Sequence, residues 1–157
     1  MTQYAQESAL NAAGRFGRFS YLAWNCLLAI VASIILGIFI AIFPNTFVNL
    51  ETGNFGGGMI FIVLIYVALM YFTFVFTIRR LHDRNHTGWL SLLMLVPLAN
   101  VILMLYLIFA PGDDRSNSYG SPRPTAGWEA VLAWIYILLF VIGILAAIAL
   151  PSYQSYI

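Results

Sequence analysis

Long runs of apolar residues alternate with short polar stretches along this chain. Four runs are long enough to span a bilayer, because a hydrocarbon core about 30 Å thick takes about 20 helical residues. They are residues 21–43, 59–78, 89–110 and 131–150. Trp24, Trp89 and Trp128 stand at the ends of runs, as expected for aromatic rings at headgroup depth. The pattern predicts an all-α, polytopic membrane helical bundle with four hydrophobic segments.

The third run is interrupted by Pro97 and Asn100. Proline removes a backbone donor and disrupts a helix, and a break inside a membrane is tolerated only where protein or water covers it. Two topologies fit. A kinked full crossing places the C-terminus on the same side as the N-terminus, whereas a re-entrant hairpin places it on the opposite side.

Composition agrees with a membrane protein. Of the 157 residues, 62% are hydrophobic and 8% are charged, whereas roughly 25% are charged in soluble proteins. Residues 1–20 are polar and precede no short apolar core with a cleavage site, so we expect no cleaved signal peptide. Cys26 lies inside the first run and is expected to pack there. We predict an N-terminal segment at 1–20, a three-segment membrane domain at 21–124 and a C-terminal transmembrane helix at 125–157.

The basic residues are distributed unevenly. All seven are arginine: Arg15, Arg18, Arg79, Arg80, Arg84, Arg115 and Arg123. None lies in the connection 44–58. Because Lys and Arg are in excess in short cytoplasmic loops, the N-terminus and the connection after the second run are predicted to be cytoplasmic. Seven arginines against six acidic residues give no basic field, so we expect no nucleic-acid binding.

The stretch FTIRRLHDRNHTGW, residues 76–89, concentrates the polar chemistry. Its candidate residues are Arg79, Arg80, His82, Asp83, Arg84, Gly88 and Trp89. One interpretation is an anchor at the cytoplasmic surface, in which guanidinium groups contact lipid phosphates. A second is that Asp83 pairs with a neighbouring arginine and fixes the turn. Gly88 then allows a sharp turn into Trp89.

A metal site is a third interpretation of the same stretch. His82 and His86 are four residues apart and Asp83 is adjacent, which is the minimal spacing for two imidazole ligands and a carboxylate. Asn85 and Gly88 predict a turn instead of a continuing helix, and no third ligand is evident in the sequence. We therefore predict no metal. The sequence also has no Gly-rich phosphate loop, nucleophile elbow or Cys–His pairing, so we predict no other cofactor and no catalytic residue.

Two stretches of the chain, GRFGRFSYLAWN at residues 14–25 and RRLHDRNHTGW at residues 79–89, fit one known sequence pattern. With them, residues 14–124 resemble a bacterial inner-membrane family, domain of unknown function 805. The residues that fit the family pattern are Arg80, Leu81, His82, Asp83, Thr87, Gly88, Trp89, Pro97, Gly112, Asn117, Tyr119, Gly120 and Pro122. His86 falls on a variable position, which counts against a two-histidine metal site, and Leu90 stands where many members have a second Trp. The resemblance implies a multi-pass protein of the bacterial inner membrane and no established activity.

The C-terminal stretch IGILAAIALPSYQSYI, residues 142–157, is similar to the N-terminal helix of type IV pilins. The matching residues are Gly143, Ala146, Ala147, Ala149, Pro151, Tyr153, Gln154 and Tyr156. Small residues let membrane helices approach closely, so the first four, together with Pro151, are predicted to form a helix-packing face. Glu129 and Trp134 replace the pilin's cleavage-site glycine and its glutamate, so we expect no pilin-type processing.

Two functions follow from these patterns. The first is a non-enzymatic membrane protein that acts through helix–helix contacts, with itself as a homo-oligomer or with pilin-like helices, and that is anchored to membrane lipids. The second is a small transporter, channel or lipid-interacting protein. Ionisable residues at mid-depth mark transport paths, and the four runs hold none there, which favours the first.

Overall fold

A computed structural model describes residues 11–45 and 57–154 of the chain. The regular secondary structure of the described part consists of four α-helices and one 3-10 helix. This confirms the predicted all-α class. The helices are α1 (Arg18–Ile42), α2 (Gly57–Asp83), α3 (Pro97–Phe109) and α4 (Gly127–Gln154), and the 3-10 helix is Gly88–Leu95. No strand occurs within the described residues.

Three of the helices are long and apolar enough to cross a membrane. These are α1, α2 and α4. At a rise of 1.5 Å per residue each is roughly 37–42 Å long, more than a hydrocarbon core about 30 Å thick. The chain is a membrane protein whose described part holds three such helices, and their positions agree with the first, second and fourth predicted runs.

The third predicted run does not form one helix. Val96 is extended, with φ −104° and ψ 115°, because the ring of the following proline disfavours the helical conformation. A 3-10 helix therefore ends at Leu95, and α3 begins at Pro97, which suits the first position of a helix because its missing N–H needs no partner. With 13 residues, α3 is only about 20 Å long and is too short to cross by itself.

Both ends of this third run lie beside the C-terminal end of α2. A Cβ on Gly88 would lie 2.9 Å from Ile78 Cγ2, so the start of the 3-10 helix approaches α2 closely. At the other end, Arg80 donates to the carbonyl of Leu107 at 2.9 Å and to that of Ala110. The run thus leaves and returns at the same end of α2, which is the geometry of the re-entrant hairpin and not of the kinked crossing.

The core occupies the half of the bundle next to this end. Its buried side chains include Phe16, Leu22, Phe76, Leu81 and Leu107. Farther along the helices, the Phe39 and Phe61 rings stack with centroids 4.3 Å apart and hold α1 against α2. The first half of α4 packs on α1, whereas residues 138–145 of α4 are exposed on the single chain. The helices are therefore joined tightly at one end and less tightly at the other.

Candidate functional site

A cluster of buried charged side chains closes the tightly packed end of the bundle. We call Arg15, Arg79, Arg80 and Asp83 the arginine cluster; all four are buried, with at most 4% of each residue exposed. Arg80 and Asp83 lie three residues apart near the end of α2 and form an ion pair. Arg15, from the segment before α1, approaches the same carboxylate at 3.1 Å. Asp83 therefore bridges two guanidinium groups.

Arg15 connects the N-terminal segment to the loop that follows α3. Its Nη1 donates to the carbonyl oxygens of Arg115 at 2.8 Å and Gly120 at 2.9 Å. Its Nη2 donates to the carbonyl of Asp113. The planar fork of arginine carries five N–H donors, and here they hold three points of one loop. Arg15 thus fixes the loop against the end of α2.

Arg80 holds the returning end of the hairpin. Its Nε and Nη2 donate to the carbonyls of Leu107 and Ala110, and the last carbonyls of a helix have no partner within the helix. A cation is also favoured there by the negative end of the helix dipole. Arg80 therefore satisfies the C-terminal end of α3 while its own charge is balanced by Asp83.

Arg79 packs against an aromatic ring. Its guanidinium lies 4.2 Å from the centroid of the Phe16 ring, and Arg123 approaches the same ring at 5.5 Å. Cations over aromatic faces within about 6 Å are attracted by the ring quadrupole. The backbone N–H of Phe16 also donates to the carbonyl of Arg79 at 3.0 Å. Phe16 is thereby held between α2 and the segment that leads into α4.

Gly112 leaves the space that the Asp83 carboxylate occupies. A Cβ added at position 112 would lie 2.0 Å from Asp83 Oδ2, far inside van der Waals contact. The next residue, Asp113, donates its backbone N–H to the Asp83 carbonyl at 2.9 Å. Close approach of the backbone is therefore the reason for glycine at this position.

The two histidines of the polar stretch have separate partners. The His82 ring stacks on Tyr119 with centroids 3.7 Å apart and an interplanar angle of 7°. His86 Nε2 lies 2.7 Å from the Tyr106 hydroxyl, which also accepts a hydrogen bond from Arg84 Nε at 3.1 Å. Within the described ranges no group of three or more His, Cys, Asp or Glu side chains is placed to hold a metal ion.

The loop between α3 and α4 has its own internal structure. Asn117 and Gly120 exchange backbone hydrogen bonds of 3.1 Å, and Gly120 has φ 108°, a conformation that glycine adopts without strain. The Asn117 side chain donates to the carbonyl of His82 at 2.9 Å. This turn brings Tyr119 onto His82 and the Gly120 carbonyl onto Arg15.

A second buried carboxylate fixes the start of α4. Glu129 is fully buried and accepts hydrogen bonds from Ser20 Oγ at 2.9 Å, Trp24 Nε1 at 2.8 Å, Arg123 Nη2 at 2.7 Å and the Ala126 backbone N–H at 3.0 Å. A buried charge is costly unless it is paired and hydrogen-bonded, and these four donors satisfy both oxygens. Glu129 thus joins α4 to α1.

The residues predicted from the polar stretch are placed in different environments. Arg79, Arg80 and Asp83 are buried, His82, Arg84 and Gly88 are half-buried, and Trp89 is 77% exposed. The helix ends at Asp83, and Asn85 in the turn that follows has a φ of 55°, the left-handed conformation common after a helix. Asp83 is paired as expected, with Arg80 and with the more distant Arg15.

The predicted packing face of α4 lies far from the arginine cluster. Gly143, Ala147, Ala149 and Pro151 are exposed, and Ala146 is half-buried. The backbone of α4 continues through Tyr153 to Gln154, and Tyr156 lies outside the described residues. The residues predicted from the polar stretch and those predicted for the packing face of α4 therefore lie in different parts of the structure.

A comparison with protein families decides the family of this chain. Residues 9–121 match the model of a protein family of unknown function, DUF805. The chain belongs to the DUF805 family. The DUF805 match begins before Arg15 and ends just after Gly120, so it includes the described residues that hydrogen-bond to Arg15 and Arg80. Arg123, Glu129 and α4 follow the matched range. Comparisons with curated proteins and with solved structures gave no match.

Proposed function

We propose that this DUF805 protein is a non-enzymatic protein of the bacterial inner membrane that acts through contacts between membrane helices. The single observation that supports a function through helix–helix contact is the exposed small-residue face of α4. In this proposal the arginine cluster has a structural role and no catalytic one. Arg15 and Arg80 direct their donors at protein oxygen atoms.

The arginine end of the bundle is assigned to the cytoplasm. The N-terminal end of α1, the C-terminal end of α2, both ends of the hairpin and the first turn of α4 meet there. All seven arginines belong to these ends, to the segment before α1 or to the loop between α3 and α4, and an excess of Lys and Arg marks cytoplasmic connections. The far ends of α1 and α4 then face the periplasm.

Cysteine accessibility in intact cells tests this orientation. In a Cys26→Ala background, Asn45→Cys should react with an impermeant maleimide, and so should Ser155→Cys. Asn11→Cys, at the opposite end, should react only after lysis. Labelling of Asn11→Cys in intact cells would reverse the assignment. Labelling of Asn45→Cys with protection of Ser155→Cys would contradict the re-entrant hairpin.

The contact itself is assigned to the outer half of α4. Among the described residues, no neighbouring atom lies within 4 Å of a Cβ built on Gly143, and Ala147 follows one turn later on the same side of the helix. Small residues at this spacing allow two membrane helices to approach closely. Lipid is as apolar as leucine, so the small residues and not the neighbouring leucines supply the specificity.

A second copy of the chain is the partner that we assign to this face. The outer half of α1 also presents small side chains at four-residue intervals: Ala29, Ser33 and Gly37 are all exposed. Two copies in one membrane have the same orientation, so each can offer either small-residue face to the other. A pilin-like helix, which resembles α4 in sequence, is the alternative partner.

Disulfide cross-linking tests the assignment. In the Cys26→Ala background, Ala147→Cys should form a covalent dimer on mild oxidation, and Ala147→Leu should prevent co-purification of two differently tagged copies. Leu145→Phe, which adds bulk on the opposite side of α4, is the matched control and should leave co-purification intact. Absence of the dimer, or equal co-purification of Ala147→Leu and wild type, would contradict self-association.

A further inference from the structure

A cavity of about 250 Å³ lies inside the bundle, between the re-entrant hairpin and the three long helices. Every helix contributes to its wall, including the 3-10 helix through Met94. Most of the lining is apolar, from Leu22, Leu103, Leu107 and similar side chains. Half of the lining residues nevertheless carry an uncharged polar group: Tyr21, Asn25, Thr73, Thr77, Asn100 and Tyr136.

The polar groups lie well below the membrane surface. Measured from the arginine end at 1.5 Å per residue, Thr73 on α2, Asn100 on α3 and Tyr136 on α4 are each about 14–15 Å deep. That depth is close to the middle of a hydrocarbon core about 30 Å thick. Polar side chains from three helices therefore meet near the centre of the bilayer, where an unsatisfied polar group is costly.

Two of these polar groups lack ordinary partners within the described residues. The Thr77 residue is 1% exposed, and its hydroxyl makes no hydrogen bond of normal geometry, although the Tyr21 side chain lies near it. The Asn100 amide makes no side-chain hydrogen bond to a described residue. In contrast, Asn25 and Thr73 donate to backbone carbonyls of their own helices. The Thr77 hydroxyl and the Asn100 amide are thus available to a bound molecule.

The cavity opens toward the lipid and is closed toward the arginine cluster. Asn100 and Met104, which border it, are exposed on the surface of α3. Tyr21, Thr77 and Leu107 are buried, and Arg80 fixes the Leu107 carbonyl at 2.9 Å, so this wall separates the cavity from the polar loops. A molecule dissolved in the bilayer therefore has a shorter route into the cavity than one dissolved in water.

The lining also restricts the charge of an occupant. None of the described residues that line the cavity is Asp, Glu, Lys, Arg or His, and an ion without a partner at this depth is strongly disfavoured. Pockets that are mostly apolar with a few convergent polar groups are typical of small-molecule sites. The lining thus suits a neutral head group with an apolar tail.

We propose that this cavity binds an uncharged, lipid-soluble amphiphile, whose hydrogen-bonding head group lies between Thr77 and Asn100 and whose apolar part lies along α3. The proposal does not depend on self-association, because the cavity lies within a single chain.

Ligand retention in native mass spectrometry tests the proposal with purified full-length protein. The probe is 1-monodecanoylglycerol, which is uncharged and carries hydroxyl groups on a ten-carbon chain. Decane and decyl phosphate are the matched probes that remove the polar head or add charge. Wild-type protein should bind one monodecanoylglycerol saturably and at least about tenfold more tightly than either matched probe, which corresponds to about 1.4 kcal/mol.

Variants of equal side-chain size locate the binding. Thr77→Val and Asn100→Leu should each weaken binding about fivefold, the usual effect of one lost hydrogen bond. Tyr136→Phe keeps the ring at the α4 wall and removes only its hydroxyl. Its affinity for the ligand is a further measurement for the case that either of the first two variants folds poorly. Ser33→Ala removes a hydroxyl outside the cavity and should bind like wild type.

Three results would overturn the proposal. Equal binding of decane would show an apolar void without head-group recognition. Unchanged affinity in properly folded Thr77→Val, Asn100→Leu and Tyr136→Phe would place the ligand elsewhere. Competition by glycerol alone at the concentration of its lipid ester would show a site that opens to water and takes a soluble solute.

Discussion

Replacement of Asp83 by asparagine should destabilise the bundle more than any other single removal of charge. The substitution keeps the shape of the side chain and removes the anion that Arg15 and Arg80 share. Both arginine side chains have 0% exposure, and that of Asp83 has 5%. After the change, two buried cations remain beside each other without an intervening negative charge.

The magnitude follows from the contacts. Removing one partner of a buried ion pair typically costs about 3–5 kcal/mol, because an uncompensated charge stays behind. Arg15 and Arg80 keep their hydrogen bonds to the backbone carbonyls of the loop and of α3, which reduces the penalty. We therefore expect a loss near the lower limit, about 3 kcal/mol in the free energy of unfolding.

Unfolding by sodium dodecyl sulfate in mixed micelles, followed by far-ultraviolet circular dichroism, measures this loss. Asp114→Asn is the control, because the same chemical change is made at an exposed carboxylate and should alter the free energy by less than about 0.5 kcal/mol. A double variant, Asp83→Asn with Arg15→Met, should recover part of the loss because one buried cation is removed with the anion. Equal stability of Asp83→Asn and Asp114→Asn would refute the central role of the Asp83 carboxylate.

Three further changes test other contacts of the site by the same unfolding measurement. Gly112→Ala places a Cβ 2.0 Å from a carboxylate oxygen and should cost more than about 2 kcal/mol, a large effect for a single substitution. Gly127→Ala, with open space around the glycine, should leave the free energy of unfolding unchanged. Equal stability of the two variants would show that the loop adapts. Glu129→Gln removes the charge that four donors share, so we expect a loss of about 1.5–3 kcal/mol and a red shift of tryptophan emission. An unchanged spectrum and unchanged stability would contradict the role of Glu129 in joining α1 to α4. Tyr106→Phe removes the hydroxyl between His86 and Arg84 and should cost about 1–2 kcal/mol. Tyr66→Phe, on an exposed side chain, should cost nothing measurable. A larger loss of stability in Tyr66→Phe than in Tyr106→Phe would place the stabilising contact elsewhere.

Hydrophobic patterning was sufficient to predict the long helices. The runs at 21–43, 59–78 and 131–150 coincide with α1, α2 and α4 within a few residues, because twenty apolar residues in lipid have few structures other than a helix available. The break at Pro97 was also visible in the sequence, since proline has a local steric effect. Whether the run crossed or returned depended on the contacts of its two ends with α2, which no local pattern contains.

The candidate site was predictable only in part. Arg80 and Asp83 are three residues apart on one helix, so their pairing follows from helical periodicity. Arg15 is 68 residues from Asp83, and a single sequence gives no signal for a contact over that distance. Glu129 did carry a signal that the sequence interpretation left unused: a carboxylate at the edge of an apolar run needs partners, and the nearest arginine, Arg123, is one of them.

The long-range bonds of Arg15 also fix an order of events during synthesis of the chain. Its hydrogen bond to the Gly120 carbonyl joins residues 105 positions apart, so Arg15 cannot complete its contacts until the ribosome has passed the whole hairpin. Until then, Arg80 must insert with α2 while its acceptors on the hairpin, the carbonyls of Leu107 and Ala110, are still being made. Closure of the loop is therefore a late step of biogenesis, and the N-terminal segment, although made first, is among the last parts to reach its final place.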